Sequence, residues 1–572
     1  MRLLGLLGLA AAFFGLSALF VILVLPDFPI AETVPASTVP AAVASAMAPT
    51  STGTTAGAEA TPEEVHELCS ACHAYPPPDT FPRSAWRKEV KQAYDFLRNS
   101  TLAAPYPSLE SVVRYYEIRA PLELRLPRSE NAIGEVGLRF KRQGFGLADG
   151  GAFPAVSNVN LVHLFDPKRL DVLSCDMRSG QVSVLRPYEG KPSWRVLAKL
   201  PAPAHAEVVD LDGDGNLDVI VACLGSFSPT DARTGSVVWL RGSADGAFTA
   251  IPLLEGVGRV ADVQAADFNG DGKLDLVVAV FGWRKSGEIL YLENRTKDWS
   301  KPAFVPHVVD ERHGAIHVPV CDLNGDGKPD FVALISQEHE TIVAFFNEGD
   351  GRFRKETIYT APHPAYGSSG IQLVDLNGDG LLDVLYTNGD SLDSHSLKPF
   401  HGVQWLENRG TFPFVHHPLT TMAGAMRAVA ADLDGDGLLD VVAVSLLPRD
   451  AFPERAELGL DSIILLRQIA PGQFARYWLE KGSCDHPTCA VGDLMGDGRL
   501  HLVTGNLYFS EPPPKAAAIT IWQNVTPGKA RLDRVRGQMQ LPQPRPSKTV
   551  IPSLREDSPN PGREDNSSGN VG

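Results

Sequence analysis

The chain has 572 residues, 44% of them hydrophobic and 21% charged, which is enough for a globular core and excludes a wholly disordered, collagen-like or multi-pass membrane protein. Lys and Arg number 52 against 68 Asp and Glu, giving a formal net charge of -16. Nucleic acid is therefore excluded as an expected partner, because binding it requires basic side chains that neutralise phosphates. The 7 cysteines are too few for a disulfide scaffold of this length.

The N-terminus carries an apolar segment long enough to cross a membrane. Residues Leu3 to Leu25 are uncharged and mostly apolar, Arg2 precedes them, and Asp27 and Glu32 follow. The positive-inside rule then predicts a single-pass anchor over residues 1–25, with the bulk of the chain periplasmic or extracellular. A cleaved signal peptide is the alternative, although its nearest small-residue cleavage sites lie about twenty residues further on. Either interpretation predicts export.

Two further segments lack the pattern of a folded domain. Residues 26–60 are rich in Pro, Ala, Thr and Ser without a consistent periodicity, which predicts a disordered linker. Residues 527–572 are rich in Pro, Arg, Asn and Ser, which predicts a disordered tail.

A short helical segment, residues 61–120, carries a haem-attachment motif. Thr61, Pro62 and Glu64 form a helix start with a capping box, and the helix leads into Cys69-Ser70-Ala71-Cys72-His73. The C-x-x-C-H spacing allows two thiols to form thioethers with the haem vinyl groups while the histidine reaches the iron. The motif therefore predicts one covalent haem c held by Cys69, Cys72 and His73.

Two more helices are predicted at residues 84–99 and 108–118, so that the segment resembles a small monohaem cytochrome c. No Met occurs between Met47 and Met177, which leaves the iron five-coordinate, ligated by His66, or capped by a residue of the next domain. A reducible disulfide between the two cysteines is an alternative. A zinc site that adds His66 and His73 to them is another, although structural zinc normally draws its ligands from two separated clusters.

A repeat with a period near 50 residues dominates residues 121–526. The motif D-x-[DN]-G-D-G-x-x-D begins at Asp210, Asp267, Asp322, Asp375 and Asp432, and an incomplete copy begins at Asp493. A further frame, with Asp171 eight residues after His163, shows no other ligand of the motif. Strand-like runs flank each loop, four to a copy, and this pattern predicts a mainly β, seven-bladed β-propeller. Residues 138–145 are expected to supply the outer strand that completes the last blade.

The loops carry the oxygen ligands that a calcium ion prefers. Positions 1, 3, 5 and 9 offer carboxylate or amide oxygens, position 7 offers a backbone carbonyl, and the glycines at positions 4 and 6 permit a tight backbone. The five intact loops predict about five calcium ions, and Asp-Gly turns without a metal are the alternative. The predicted ligands are Asp210, Asp212, Asp214, Asp218, Asp267, Asn269, Asp271, Asp275, Asp322, Asn324, Asp326, Asp330, Asp375, Asn377, Asp379, Asp383, Asp432, Asp434, Asp436 and Asp440.

These loops and strands resemble the FG-GAP/VCBS repeats of propellers like those of integrin α-subunits. The whole arrangement, with a haem motif before the propeller, is similar to exported FG-GAP/VCBS repeat proteins of bacteria. The resemblance covers residues 134–526 and implies the propeller fold and calcium binding. It does not imply a particular activity, because one fold hosts many functions.

Polar residues concentrate in the middle repeats. His205, Asp262, His317 and Arg427 each lie five residues before the first Asp of their repeat, which predicts equivalent positions on the innermost strands. The candidate cluster is His205, His317, Glu338, His339, His363 and Arg427. Such a convergent set suits a ligand or a metal, whereas ordinary polar lining of a wet channel is the alternative.

Three functions remain open from the sequence. The first is a membrane-tethered haem c protein that transfers electrons while its propeller binds a partner or substrate. The second is a calcium-stabilised module that binds a glycan or protein without redox activity. The third is an enzyme acting at the channel, for which no hydrolase, transferase or nucleotide-binding motif is present. The sequence leaves the partner and the oligomeric state undefined.

Overall fold

The computed structural model describes residues 58–98, 105–126, 137–151, 153–188, 190–510 and 516–526. The predicted anchor (1–25) and tail (527–572) lie outside these residues, as does nearly all of the predicted linker (26–60). Among the described helices, none is both long and apolar enough to cross a membrane.

Three α-helices form the segment before the propeller, close to the ranges that the sequence predicts. They are α1 (Pro62–Cys69), α2 (Trp86–Leu97) and α3 (Leu109–Arg119), with a 3-10 turn at Pro78–Thr80. The predicted capping box at the start of α1 is present, because the Thr61 hydroxyl accepts the Glu64 N–H and the Glu64 carboxylate accepts the Thr61 N–H.

An aromatic stack fills the interior of this helical segment. The rings of Trp86 and Tyr116 lie 3.7 Å apart and nearly parallel, and the indole N–H of Trp86 donates to the carbonyl of Pro78. Val65 of α1 and Val113 of α3 are fully buried beside the stack. Burial of these large side chains stabilises a segment whose helices are each too short to persist alone.

The described residues then form seven β-sheets, six of four strands and one of five because its innermost strand is split in two, and they confirm the seven-bladed propeller. The first, innermost strands of blades 1 to 7 are β2 (Val156–Val162), β6 (Pro203–Val209), β10 (Val260–Ala266), β14 (Ala315–His317) with β15 (Val320–Cys321), β19 (Ser368–Val374), β23 (Ala425–Ala431) and β27 (Thr488–Gly492). The second strands are β3 (Asp171–Asp176), β7 (Asp218–Cys223), β11 (Asp275–Val280), β16 (Asp330–Ile335), β20 (Asp383–Asn388), β24 (Asp440–Ser445) and β28 (His501–Gly505). Blades pack on both sides of the second strands, which explains their unbroken apolar sequences.

The third strands are β4 (Gln181–Arg186), β8 (Gly235–Gly242), β12 (Glu288–Asn294), β17 (Thr341–Gly349), β21 (Gly402–Glu407), β25 (Asp461–Ala470) and β29 (Ile519–Asn524). The outer strands are β5 (Ser193–Lys199), β9 (Phe248–Val257), β13 (Phe304–Asp310), β18 (Arg352–Thr360), β22 (Val415–Thr421), β26 (Gln473–Lys481) and, in blade 7, β1 (Phe140–Phe145). A 3-10 turn at Pro453–Arg455 precedes β25.

The ring closes between the two ends of the propeller sequence. Strand β1 pairs antiparallel with β29, from Phe140 opposite Asn524 to Phe145 opposite Ile519. This pairing confirms that residues before the first repeat complete the last blade. Innermost strands also contact one another around the whole ring, including β27 with β2. Blade 7 therefore joins the beginning and the end of the fold.

Position 9 of the loop motif has a structural role that its spacing alone did not reveal. Asp218 begins β7, is fully buried, and accepts the Leu211 N–H from the loop at 2.9 Å and the Gly242 N–H from the third strand at 2.7 Å. The carboxylate thus connects the loop with the second and third strands of its blade. The corresponding aspartates of the other intact loops are fully buried and accept the equivalent third-strand N–H: Asp275, Asp330, Asp383 and Asp440.

The two incomplete repeats keep this connection without the full set of loop ligands. In blade 1, Asp171 accepts the Phe165 N–H and the Tyr188 hydroxyl at 2.8 and 2.6 Å. In blade 7, His501 replaces the aspartate, and its Nδ1 accepts the N–H of Asn524 at 3.0 Å. The connection at position 9 is therefore separable from the other loop ligands.

The propeller has two distinct faces. Each first strand ends in the motif loop, on what we call the loop face, and the second strand returns to the opposite face, which we call the cavity face. The helical segment packs on the cavity face. Lys398 donates to the Ala365 carbonyl and lies 5.8 Å from the Phe81 ring, while the Arg284 guanidinium lies 4.8 Å from the ring of Phe96.

We expect Asp171→Ala to lower the free energy of unfolding by about 2–4 kcal/mol, because a fully buried acceptor is lost and two half-buried donors, the Phe165 N–H and the Tyr188 hydroxyl, lose their partner. Since blade 1 lacks the loop ligands, the loss should be the same in EDTA and in calcium. Urea unfolding under both conditions measures it. Glu348→Ala, at an exposed position, is the control and should change stability little. A loss that appears only with calcium would contradict the separate role of position 9.

Candidate functional site

One position recurs on the innermost strands, five residues before each loop begins. Its seven residues are Asn158, His205, Asp262, His317, Gly370, Arg427 and Thr488. In blades 1 to 6 the pairing between the first and second strands shifts register directly before this position. Such irregularities bend a strand and redirect the next side chain. All of these residues except the glycine line one cavity.

That cavity has a volume of about 920 Å³ and opens on the cavity face. Polar groups of the innermost strands form its inner part. Apolar side chains from the turns between second and third strands form its mouth, among them Phe227, Trp283 and Phe509. A concave site with an apolar wall and a few convergent polar groups is the usual form of a small-molecule site.

Asp262 is the electrostatic centre of the polar part. It is 3% exposed, its carboxylate lies 2.8 Å from His205 Nδ1 and 3.7 Å from His317 Nδ1, and it accepts the Val318 N–H at 2.9 Å. Burial alone would raise the pKa of Asp262, but the two imidazoles hold it well below its usual range. The same carboxylate raises the pKa of His205 against the effect of burial, whereas burial lowers the pKa of His317.

Arg427 completes this group with a fixed positive charge. It donates to the carbonyl of Ile371 at 2.8 Å, and burial lowers its pKa. The neighbouring carboxylate of Asp262 opposes that decrease. One carboxylate, two imidazoles and one guanidinium therefore face a common space, which could bind an anionic or hydrogen-bonding ligand and could transfer protons.

The structure divides the six residues of the predicted channel cluster. His205, His317 and Arg427 line the cavity. Glu338 and His339 lie with His313 in a separate group at the turn between β16 and β17. His363 is buried against Phe400, with ring centroids 4.7 Å apart. The shared frame of the repeats identified the first set, whereas the other residues lie in loops of irregular length that a repeat frame does not place.

The intact loops have a common backbone geometry. In blade 3, the Asp267 carboxylate accepts the N–H groups of Gly270, Asp271 and Gly272 at 2.8 to 3.1 Å. The two glycines have φ values of 76° and 85°, a region that side chains other than glycine rarely adopt. The loops of blades 5 and 6 repeat these contacts, so that in each of them the first carboxylate holds the glycine-containing backbone of the loop.

The donor groups of these loops fit a hard cation. Carboxylate oxygens of Asp210, Asp212 and Asp218 lie within 4.8 Å of one another, as do those of Asp432, Asp434 and Asp436 in the loop of blade 6. Asp210 Oδ1 is buried without a hydrogen-bond partner among the described residues. A buried oxygen in that state requires an explanation, and a bound cation supplies one. An all-oxygen set with several carboxylates suits calcium.

Arginines accompany the two loops that have Asp rather than Asn at position 3. Arg241 of β8 forms ion pairs with Asp212 and Asp214, and Arg467 of β25 does so with the corresponding carboxylates of loop 6. The equivalent third-strand residue is Glu293 in blade 3, where position 3 is Asn. Sequence reasoning missed these arginines, although comparison of the repeats would have shown that they accompany the extra aspartate.

The two incomplete loops differ from the intact ones in that a histidine makes hydrogen bonds to the backbone. In loop 1, His163 Nδ1 lies 3.1 Å from the carbonyls of Asp166 and Arg169. In loop 7, His501 accepts a backbone N–H at Nδ1, so its neutral ring carries the proton on Nε2. The Nε2 atom of His501 lies 3.6 Å from Asp497 Oδ1. Its N–H is a hydrogen-bond donor, whereas a cation at this position would require a lone pair.

The C-x-x-C-H motif lies at the end of α1 and just beyond it. Cys69 and Cys72 are free thiols, Cys69 half-buried and Cys72 exposed, and burial raises the pKa of the Cys69 thiol. His73 Nδ1 lies 2.8 Å from the carbonyl of Ala74, a contact that leaves Nε2 as the ligand atom. Free thiols and an oriented imidazole fit a covalent haem. Among the described residues, His66, Cys69, Cys72 and His73 do not form a compact group of metal ligands.

Comparisons with known proteins identify the repeats. The FG-GAP-like repeat matches residues 210–278, 322–386 and 391–443, so the chain carries FG-GAP-like repeats within a seven-bladed propeller. T-cell immunomodulatory protein homolog of Plasmodium yoelii yoelii is 23% identical over 281 residues, which are 44% of this chain and 40% of that protein. Cartilage acidic protein 1 of Xenopus tropicalis is 24% identical over 196 residues, 31% of this chain and 29% of that protein.

The matched regions thus span less than half the length of these relatives. Among solved structures, the BBS1N chain of a complex with ARL6DN aligns with 69% of this chain and 98% of its own length. Its TM-score is 0.37 and its identity 10%, values too low to support a conclusion.

We expect Asp262→Asn to lower the pKa of His205, because the charge that offsets burial of the imidazole is removed. The ring should then lose its proton at a lower pH than in the unaltered protein. Histidine-selective carbon-13 NMR titration measures this, with His205→Gln assigning the signal. Glu293→Gln is the control, because it alters a similar pair formed by Glu293 of the third strand β12 and His307 of the outer strand β13. An unchanged titration in Asp262→Asn would show that the carboxylate does not control this histidine.

Proposed function

We propose that this chain is an exported haem c protein that transfers electrons and binds its partner or substrate at the cavity face of a calcium-stabilised propeller. Cys69 and Cys72 would attach the haem, and His73 would supply a nitrogen ligand to its iron. When bound, the haem supplies one-electron redox chemistry. The apolar segment at residues 1–25 supports a single-pass membrane attachment with the rest of the chain periplasmic or extracellular.

The observation that carries this proposal is where the haem-attachment segment packs. Arg284 contacts Phe96 of α2 and also stacks on Trp283, whose side chain lines the cavity mouth. Asp393 and Lys398 belong to one loop, of which Asp393 lines the cavity and Lys398 contacts the helical segment. The segment with the redox motif and the cavity therefore share one face and one set of loops. An attached haem and a bound substrate would then belong to one functional surface.

The same geometry assigns distinct tasks to the propeller residues. His205, His317 and Arg427 offer hydrogen bonds and positive charge to a ligand in the cavity. Asp262 orients the two histidines and fixes their protonation. The loops on the opposite face stabilise the blades and do not contact the ligand. A binding module without redox activity is the second candidate, which the cavity itself supports.

Covalent haem is the first test of the proposal. After expression with a cytochrome c maturation system, the denatured chain should retain haem stain on a gel, and the native protein should show a Soret band. Cys72→Ala should weaken or abolish the stain, and His73→Ala should shift the Soret band because the axial nitrogen is lost. Cys175→Ala, at a buried thiol of β3, should leave both unchanged.

Redox activity is the second part of that test. The attached haem should be reduced and reoxidised reversibly by a one-electron mediator, and its spectrum should report both states. A chain without stain or Soret band under maturation conditions would contradict the redox function and leave the binding module. A chain that stains for haem but cannot be reversibly reduced and reoxidised would contradict electron transfer. It would leave haem attachment supported.

Calcium removal is a separate prediction. EDTA should lower the melting temperature, because the clustered carboxylates of each intact loop then repel one another, and calcium but not magnesium should restore it. Elemental analysis should find about five calcium ions per chain. Asp375→Asn should remove one ion, and Asp493→Asn, in an incomplete loop, should remove none. A melting temperature insensitive to EDTA would exclude structural calcium.

A further inference from the structure

Two histidines and one glutamate meet on the cavity face of blade 4. His313 lies just before β14, and Glu338 and His339 lie in the turn between β16 and β17. One ligand atom from each lies within 4.8 Å of the others. His313 Nε2 is 2.9 Å from Glu338 Oε2, and the two imidazole rings are 5.0 Å apart at 65°. This group does not include the ligands of the motif loops, because those loops lie on the loop face.

The backbone holds the three side chains in place. Gly314, next to His313, accepts the backbone N–H and the hydroxyl of Ser336, the residue at which the glutamate-bearing turn begins. On the other side of His313, a Cβ at Gly287 would lie 2.5 Å from the histidine Cα, so only glycine permits this approach. The two segments that carry the group are therefore fixed before any ligand binds.

The turn itself is strained around the two ligand residues. Gln337 and Glu340 have φ values of 58° and 40°, and they directly precede and follow Glu338 and His339. Non-glycine residues in this region persist only where the surrounding structure enforces them, and they concentrate at functional sites. Here the buried Glu340 carboxylate enforces the turn by accepting two backbone N–H groups from blade 5, at 3.1 and 2.8 Å.

His339 provides the observation that points to a ligand. Its Nε2 atom is buried and has no hydrogen-bond partner within the described part of the chain. A buried ring nitrogen without a partner is costly unless something absent from the polypeptide binds it.

The surrounding charges permit a cation. Arg312 precedes His313, but its guanidinium is paired with Asp310 at 2.8 Å, and Lys355 contacts the same carboxylate at 2.9 Å. Glu338 thus supplies the negative charge closest to the two imidazoles. Its side chain is 39% exposed, which provides a route for a metal ion from solvent.

We propose that His313, Glu338 and His339 bind a divalent transition metal, with zinc as the first candidate. Two imidazole nitrogens and one carboxylate suit zinc and related ions, whereas calcium and magnesium prefer oxygen ligands. Three protein ligands leave a coordination position for water or a ligand. Gln337, which precedes Glu338, lines the cavity, so the metal would act as a Lewis acid beside the cavity mouth.

The test uses the tag-free full chain with Cys69→Ala and Cys72→Ala and with calcium saturating, so that neither the cysteine motif nor the loops take up the probe and no haem absorbs in the visible range. Zinc titrated in a calorimeter should bind with one high-affinity equivalent per chain. Cobalt should give visible ligand-field bands without the near-ultraviolet absorption that thiolate ligands produce. Zinc added afterwards should remove those bands.

Ligand substitutions locate the ion. His339→Gln and His313→Gln should each weaken zinc binding by about tenfold or more, since even partners outside the ligand set contribute on that scale. Glu338→Gln repeats the test at an exposed, conservative position if either histidine variant fails to fold. The control is His307→Gln, because His307 of the outer strand β13 also pairs with a glutamate, Glu293 of β12, at 3.2 Å.

The outcomes decide the proposal independently of the haem and of electron transfer. Loss of binding in the three ligand variants, with binding retained in the control, supports the site. No stoichiometric zinc binding by the unaltered chain would overturn it. So would equal affinity in the unaltered chain and a folded ligand variant, or equal weakening by the control.

Discussion

One buried side chain per blade connects three segments of the chain. In six blades it is an aspartate at position 9 of the motif, and its oxygens accept hydrogen bonds from the loop, the third strand or both. Hydrogen bonds to an ionised group contribute about 1.5–3 kcal/mol each, and a buried charge without them would be strongly unfavourable. In every blade, the position of the loop relative to the second and third strands is therefore fixed.

Burial makes ionisation of these carboxylates less favourable in the folded protein than in the unfolded chain. Burial raises the pKa of Asp218, Asp275 and Asp383 to about 6. Because the folded state resists their ionisation, their contribution to stability decreases as the pH rises from about 4 to about 6. A cation bound by the same loop would offset that decrease. The residues that hold the blade together and the residues that would hold an ion thus form a single electrostatic unit.

The sequence predicted what the repeat frame determines. Loop spacing predicted seven blades, and the common offset of His205, His317 and Arg427 predicted that these side chains share a level on the axis. It could not predict contacts that leave the frame. The turn that holds Glu338 and His339 has its own length, and the backbone bonds at position 9 depend on a neighbouring strand. Such features arise from tertiary packing, which periodicity does not encode.

The two faces of the ring divide the chemistry. Acidic loops with glycine turns occupy one face, where carboxylate and amide oxygens predominate. Imidazoles, a guanidinium and aromatic side chains occupy the other, together with the helical segment. This division follows from connectivity, because every first-to-second-strand loop lies on one face and every second-to-third-strand turn on the other. Substitutions on one face can therefore alter stability while the opposite face keeps its geometry.

The closure of blade 7 sets an order of events during synthesis. Arg139, next to β1, donates its N–H to Thr526, 387 residues later in the chain. Strand β1 is thus the first propeller strand to be synthesised. It has no partner until β29, the last strand, is complete. During this interval the exposed Lys141 and Arg142 of β1 disfavour pairing with other chains, because charges on an open strand edge oppose such pairing. A chain interrupted before residue 519 would lack β29, so that β1 would have no partner and blade 7 would stay open.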